Sequence, residues 1–128
     1  MTDALIKDVL TRTRRIAVVG VSPNPARPSH YVSEYLVQKG YDVVPVNPVH
    51  AGKEVFGKTI VATLAEIDPP VQMVDIFRRS EDVPPVVDEA LAAFPDLETI
   101  WMQMGITNAE AAAKAEARGV DVIQDRCP

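Results

Sequence analysis

The chain has 128 residues, a net charge of −5 and a hydrophobic content of 47%, which is typical of one globular domain with a real core. The negative charge argues against general nucleic-acid binding, which depends on neutralising phosphates, and an aromatic content of 5% argues against a base-stacking surface. No apolar run approaches the roughly 18 to 20 residues of a membrane span, and the mixed charges of the first residues argue against a signal peptide. We therefore expect a single domain over residues 1–128, located in the cytoplasm, with neither nucleic acid nor a membrane as a partner.

The N-terminus predicts an amphipathic helix that is capped by Thr2 or Asp3 and ends at Arg12. Apolar side chains recur there at helical spacing, at Leu5, Ile6, Val9 and Leu10. We expect this helix to pack on the rest of the domain, where it covers a sheet face or an edge.

A buried strand and a loop follow this helix. Residues 16–19 are apolar without alternation, as in a parallel strand that is covered on both faces. Gly20 comes where the strand should end, and Ser29 is expected to cap a helix over residues 30–39. A glycine turn directed at a helix N-terminus can bind an anion through unpaired N–H groups. From spacing alone, a phosphate site and a simple turn are equally good interpretations of Gly20.

The remaining chain repeats the strand–helix pattern. Strands are predicted over 41–46, 71–77, 97–102 and 120–123, and helices over 80–94 and 107–118. Pro45 indicates an edge position or a strand end, because proline cannot donate to a ladder, and Thr107 to Glu110 has the form of a capping box. This alternation predicts the α/β class, with a doubly wound, mainly parallel five-stranded sheet and helices on both faces.

Ligands of such sheets bind beyond the carboxyl ends of the strands. The segments to consider are therefore those that follow each predicted strand: residues 20–22, 47–48, 77–79, 103–105 and 124–126. A dinucleotide fingerprint is absent, because Ser22 takes the place of the second glycine and Asn47 that of the ribose-binding acid. No G-K-[ST] follows Gly20 either, which excludes a Walker-A loop.

Several side chains keep two interpretations. Arg27 is either a solvated loop charge or a ligand contact, and Asn47 is either a turn former or a contact to a ribose or an adenine edge. Arg78 and Arg79 follow a buried strand on the expected ligand side, where one of them could instead pair with Glu81 or Asp82.

Other chemically interesting residues favour structural roles. His30 and His50 lack metal-ligand spacing and are interpreted as surface or capping residues, and Asp75 as a structural hydrogen-bonding group within a strand. Cys127 is the single cysteine, which excludes an intrachain disulfide and a cysteine zinc cluster. It is interpreted as a partly buried thiol, with a mixed disulfide to a thiol ligand as the alternative. We find no catalytic set and no metal site.

Taken together, several motifs resemble the small stand-alone CoA-binding proteins, which are similar to the N-terminal CoA-binding domain of the succinyl-CoA synthetase α subunit. The motifs are A-V-V-G-V-S over residues 17–22, R-P-S over 27–29, G-Y-D-V-V-P-V-N-P over 40–48, V-D-I-F-R-R-S over 74–80, W-M-Q-M-G-I over 101–106 and D-R-C over 125–127. The resemblance covers residues 14–127 and implies a Rossmann-like domain that binds coenzyme A across its strand ends.

The resemblance also implies which residues contact the ligand. The loop residues Gly20, Val21 and Ser22 would face the pyrophosphate, assisted by Arg27 and Ser29; Asn47 and Pro48 would border the nucleotide; and Phe77, Arg78 and Gly105 would line the opposite wall. The synthetases use a phosphorylated histidine in a second domain that this sequence lacks, so their ligase activity is not implied. Pro23 and Pro25 also make the loop different from the synthetase loop.

Three functions follow as hypotheses. The first is a CoA or acyl-CoA binding domain without catalysis of its own, acting as a carrier, a sensor or a partner subunit. The second is an NAD(P)-dependent oxidoreductase, which Ser22 and Asn47 disfavour. The third is a protein-interaction module with a vestigial nucleotide pocket, pairing as a homodimer or with an unidentified protein partner.

Overall fold

The computed structural model describes residues 3–127. Its helices are α1 (Asp3–Arg12), α2 (Pro28–Gln38), α3 (Val83–Ala93) and α4 (Ala109–Glu116). Its strands are β1 (Arg15–Val19), β2 (Asp42–Val46), β3 (Glu54–Val55), β4 (Lys58–Thr59), β5 (Met73–Ile76), β6 (Thr99–Met102) and β7 (Asp121–Ile123). Single turns of 3-10 helix follow β2, precede β5 and lead into α3. Among the described helices, none is long and apolar enough to cross a membrane.

The central sheet has five parallel strands in the order β2-β1-β5-β6-β7. The short strands β3 and β4 form a separate antiparallel pair. The chain leaves β1 toward one edge of the sheet and returns from β2 to the other side of β1, so the strand order reverses between β1 and β5. The predicted doubly wound α/β fold is confirmed, and its ligand crevice is expected at this reversal.

Helices cover both faces of this sheet. On one face, the core contains Val9 of α1 and Val32 and Leu36 of α2. On the other, it contains Val83 and Val87 of α3, together with the buried alanines of α4. The strands between these layers are almost fully buried, which explains their continuous apolar sequence.

The position of β2 agrees with the interpretation of Pro45. This strand lies at an edge of the sheet, where a residue without an N–H group leaves no central ladder incomplete. The carbonyl of Pro45 accepts a bond from the N–H of Val61 at 3.0 Å, and Val46 and Val61 form an isolated bridge. The edge is therefore partly covered by the chain that follows the β3–β4 pair.

The expectation that Ser29 caps α2 is wrong. The helix begins two residues earlier than expected, at Pro28, and its N-cap residue Arg27 makes no side-chain capping bond. Proline favours the first helical position, because its fixed φ suits the helix and its missing N–H would be unpaired there anyway. The Ser29 hydroxyl instead accepts the N–H of Ser22 at 3.1 Å, which ties the loop to the helix.

The capping box at α4 is also shifted. The N-cap is Asn108, whose side chain accepts the N–H of Ala111 at 2.9 Å. Thr107 lies before it and donates its N–H to the Ser80 hydroxyl at 3.1 Å. An asparagine can serve as an N-cap as well as a threonine can, and the contact with Ser80 decides which one takes the position.

The N-terminal helix is joined to the sheet by an ion-pair network, although Thr2, one of the two expected caps, lies outside the described residues. Arg12 contacts Asp8 at 2.7 Å, Glu98 at 3.0 Å and Asp121 at 2.6 Å. Together with the buried side chain of Val9, this network fixes the end of α1 against β6 and β7.

Candidate functional site

Gly20 lies where the ends of β1 and β5 come closest. Its φ is +97°, and a Cβ atom at this position would lie 2.2 Å from the carbonyl oxygen of Phe77. The N–H of Phe77 donates to the carbonyl of Val19 at 2.8 Å, which holds the two strand ends together. A glycine is therefore required here both by the backbone conformation and by the space between the strands.

The loop after Gly20 differs from the expected cradle of free N–H groups. The N–H groups of Gly20 and Val21 both donate to the carbonyl of Val46, at 2.8 and 3.4 Å, and that of Ser22 donates to the Ser29 hydroxyl. These three backbone donors are thus already used inside the protein. Anion binding at this turn must depend on side chains or on a rearrangement of these bonds.

Polar side chains hold the rest of this loop. The Ser22 hydroxyl accepts the N–H of Asn24 at 3.1 Å, and the Asn24 side chain accepts the N–H of Ala26 at 3.0 Å. The Nδ1 atom of His30 lies 2.9 Å from the Ser22 carbonyl. The loop is therefore closed by its own local bonds, and its two prolines, Pro23 and Pro25, contribute no further donors.

Asn47 joins two parts of the site as a structural clamp. It is 6% exposed; its Nδ2 donates to the carbonyl of Val21 at 3.0 Å, and its Oδ1 accepts the N–H of Val49 at 3.0 Å. The side chain thus links the end of β2 to the Gly20 loop. The predicted contact of Asn47 with a nucleotide stays a prediction, and it would have to coexist with both of these bonds.

Replacing Asn47 by alanine is expected to lower the free energy of unfolding by about 1–3 kcal/mol, because the buried carbonyl of Val21 and the N–H of Val49 both lose their partner. Asn24→Ala is the matched control: it removes one bond from an exposed loop, and we expect a loss of less than about 1 kcal/mol. Urea unfolding of both variants provides the measurement. Equal, small losses would contradict the role of Asn47 as a clamp.

A cleft of about 840 Å³ opens at the reversal of strand order. Seven of the predicted contact residues line it: Gly20, Ser22, Arg27, Ser29, Phe77, Arg78 and Gly105. Of the other three, the side chains of Val21 and Asn47 are buried, whereas Pro48 is exposed at the end of β2. Sequence reasoning missed His50, which also lines the cleft; its place two residues after Pro48 was the available signal.

The two arginines after β5 have different surroundings. Arg79 contacts the carboxylates of Glu81 at 3.5 Å and Asp82 at 3.4 Å. Within residues 3–127, Arg78 has no carboxylate within 4.0 Å, and neither has Arg27. The ion pair that the sequence left open therefore belongs to Arg79, and the charges of Arg27 and Arg78 face the cleft without an acidic partner.

Asp75 lies on β5, just below the cleft, and is 0% exposed. Its Oδ1 accepts a 2.6 Å bond from Nε2 of Gln103, which agrees with the structural role expected from the sequence. Burial raises the pKa of Asp75 to about 7, against the lowering effects of the Gln103 amide and the Ile76 N–H. A carboxyl group that changes charge near neutral pH thus lies under the site.

The Cys127 side chain is a weak nucleophile in this environment. The expectation of a partly buried thiol is wrong, because Cys127 is exposed. The desolvation that its neighbours impose and, to a lesser extent, the negative charge of Asp75 raise the pKa of the thiol. The thiol is therefore protonated at neutral pH, which is its less reactive form. Nor does any group of three His, Cys, Asp or Glu side chains in the described chain have the arrangement of a metal site.

Known proteins resemble this chain over nearly its full length. An uncharacterized protein of Bacillus subtilis, YneT, is 44% identical over 124 residues, which cover 97% of this chain and 89% of that protein. The structure of cell-free ID.343 from Thermus thermophilus is 37% identical, with a TM-score of 0.92, and the match covers 99% of this chain and 93% of that one.

A more distant likeness concerns the fold alone. The apo form of the dinucleotide-forming acetyl-coenzyme A synthetase 1 of Ca. Korarchaeum cryptofilum is 23% identical, with a TM-score of 0.73. The match covers 90% of this chain but 26% of that enzyme. The same fold therefore occurs there as one part of a much larger protein.

The comparison with protein families agrees with the motifs. Residues 14–128 match the model of a CoA binding domain, and this span begins directly before β1 and includes every strand of the sheet. The chain belongs to this family of CoA-binding domains.

Proposed function

We propose that this domain binds coenzyme A or an acyl-CoA in the cleft at the carboxyl ends of β1 and β5, and that it holds the ligand without transforming it. Membership of a CoA-binding family supports the class of ligand. The cleft supports the place, because it lies where the order of strands reverses and where sheets of this kind bind nucleotides.

The observation that carries the proposal is the pair of unpartnered guanidinium groups in the cleft. Arg27 and Arg78 both line it, one on the loop after β1 and the other on the segment after β5. Coenzyme A carries a diphosphate and a phosphomonoester, and guanidinium groups bind phosphate oxygens by charge-assisted, often bidentate hydrogen bonds. Two such groups near a closed glycine turn can replace the missing backbone donors.

Apolar residues of the cleft suit the uncharged part of the ligand. Phe77 and Ile106 line the cleft and are half-buried, so they offer apolar surface to a pantetheine arm. Gly105 lies beside Ile106 with a φ of +85° and open space where a Cβ would be. We expect this open surface to accommodate an extended chain.

The hydrogen bonds of the two serine hydroxyls at the cleft favour ligand binding over catalysis. The hydroxyls of Ser22 and Ser29 accept backbone N–H bonds, and in residues 3–127 no histidine nitrogen is hydrogen-bonded to either of them. Activation of a serine needs such a base. Incubation with acetyl-CoA should therefore release free thiol no faster than buffer alone, and a rate that scales with protein concentration would argue for an enzyme.

Binding is tested directly by calorimetry and thermal shift with CoA, acetyl-CoA, NAD and NADP. We expect CoA at 100 times its Kd to stabilise the fold by about 2.7 kcal/mol, with little effect from the nicotinamide nucleotides. Arg78→Ala should weaken CoA binding by about ten- to a hundredfold, which corresponds to the loss of one hydrogen-bonded charge contact.

Arg79→Ala is the matched control for this variant. Arg79 also lines the cleft, but its guanidinium is exposed and paired with the carboxylates of Glu81 and Asp82, so its removal should change CoA affinity by less than about threefold. Equal losses of CoA affinity in the two variants would show that Arg78 acts through the overall charge of the cleft and not through a specific contact. Tighter binding of NAD than of CoA would revive the oxidoreductase hypothesis.

A further inference from the structure

A buried carboxyl group lies under the cleft, and the proposed binding of CoA does not use it. Asp75 lies in register with Val18 of β1 and Trp101 of β6. Gln103 bonds to its Oδ1, whereas its Oδ2 is buried and has no hydrogen-bond partner among the described residues. Burial of a half-satisfied carboxyl group destabilises a protein, so the group calls for a functional explanation.

Asp75 is close to the proposed ligand along β5. Alternate residues of a strand point to the same side, so Asp75 and Phe77 share one side, and Phe77 lines the cleft. The Cα of Arg78 is three residues further along the chain, and therefore lies at most about 11 Å from that of Asp75. A charge on Asp75 therefore acts on phosphates held by Arg78 through the protein interior, where screening is weak.

Gln103 connects the same carboxyl group to the wall of the cleft. Its backbone N–H donates to the carbonyl of Ile76 at 3.3 Å, and its own carbonyl accepts the N–H of Ile106 at 2.9 Å. Ile106 and Gly105 line the cleft. Gln103, whose side chain bonds to Asp75, is thus also the first residue of the turn that contains Gly105 and Ile106.

Among the described residues, no basic side chain is paired with the Asp75 carboxylate. The buried side chains of α1 and α2 are uncharged, namely Val9, Val32, Leu36 and the serines Ser29 and Ser33. On the C-terminal segment, the titratable neighbour is Cys127, whose pKa Asp75 raises further after the effect of burial.

We infer that Asp75 takes up a proton when the polyanionic ligand enters the cleft, so that the affinity for CoA falls as the solution becomes alkaline. This inference rests on the proposed binding of CoA. The ionised carboxylate and the ligand phosphates repel each other, and a coupling of this kind is reciprocal. Affinity is highest where Asp75 is protonated in the free protein, and it falls above pH 7 until the group is ionised in the complex as well.

Calorimetric titrations between pH 6 and 9 test this coupling in the full chain. Dephospho-CoA is the principal ligand, because it lacks the phosphomonoester that itself titrates in this range. We expect its affinity to fall about three- to tenfold from pH 6 to pH 9, with net proton uptake near pH 7.5 when phosphate and Tris buffers are compared. Asp75→Asn, which keeps the shape and removes the charge, should bind equally well across the range.

The outcomes are distinct. An equal decline in wild type and Asp75→Asn would overturn the inference, and so would a flat wild-type profile with tight binding, which leaves the binding proposal intact. His50→Gln tests whether the histidine in the cleft causes the decline in affinity. A decline that persists in this variant supports the inference about Asp75. A decline that disappears assigns the effect to His50 and overturns the inference. Absence of binding at every pH would overturn both proposals.

Discussion

Gly20→Ala is expected to destabilise the domain by about 3 kcal/mol or more, because it combines backbone strain with a clash between two central strands. A new Cβ atom would lie 2.2 Å from the Phe77 carbonyl oxygen, and that oxygen belongs to the backbone, which cannot move without separating β1 from β5. The expected variant is a marginal fold or an unfolded chain with no CoA binding. Urea unfolding, followed by the fluorescence of the buried Trp101, measures the effect.

Gly40→Ala is a closely matched control for this substitution. Gly40 has a φ of +98°, against +97° for Gly20, but nothing lies within 4 Å of the position where a Cβ would be. Its replacement introduces the conformational strain alone, which costs about 1–2 kcal/mol. Equal losses in the two variants would show that the close approach of Gly20 to Phe77 contributes nothing.

The pH dependence of stability should reveal Asp75 even without a ligand. Because burial raises its pKa from 3.8 to about 7, the folded state holds this proton more tightly than the unfolded chain does. The contribution of Asp75 is therefore most favourable below pH 4, and it declines as pH rises from about 4 to about 7. A difference of this size between the two pKa values corresponds to roughly 4 kcal/mol.

Asp75→Asn isolates this contribution from that of the other carboxyl groups. The variant cannot ionise, so the wild-type unfolding free energy minus that of Asp75→Asn should fall steadily from pH 4 to pH 7 and then level off. Above pH 7, Asp75→Asn should therefore be more stable than the wild type, by an amount equal to the decline measured between pH 4 and pH 7. Parallel profiles for the two proteins would refute an unusual pKa for Asp75.

Much of the fold could be predicted because its signals are local. Unbroken apolar segments such as residues 16–19 indicated parallel strands covered on both faces, and Pro45 indicated an edge. Errors arose at the starts of two helices: Arg27 rather than Ser29 is the N-cap of α2, and Asn108 rather than Thr107 is the N-cap of α4. Contacts from distant parts of the chain decide such cases.

The candidate site was predictable for a related reason. In a parallel sheet the carboxyl ends of all strands lie at one edge, so residues after β1 and after β5 were expected together before their positions were known. Gly20 and the side chains of Arg27 and Arg78 do share one cleft. His50 was missed, because its place at that cleft depends on the path of the turn after β2, which no periodic pattern indicates.

By itself, the sequence determined the class of the fold, the alternation of strands and helices, and the CoA-binding family, whereas the need for glycine after β1 became clear from the contact of Gly20 with Phe77. The first three depend on local conformation and on the order of motifs along the chain. Only the tertiary structure decided which arginine is neutralised, which backbone donors of the Gly20 loop are already used, and that Asp75 is buried with one oxygen unpaired. The physical reason is that pairing and desolvation depend on distances between residues far apart in sequence, and folding alone sets those distances.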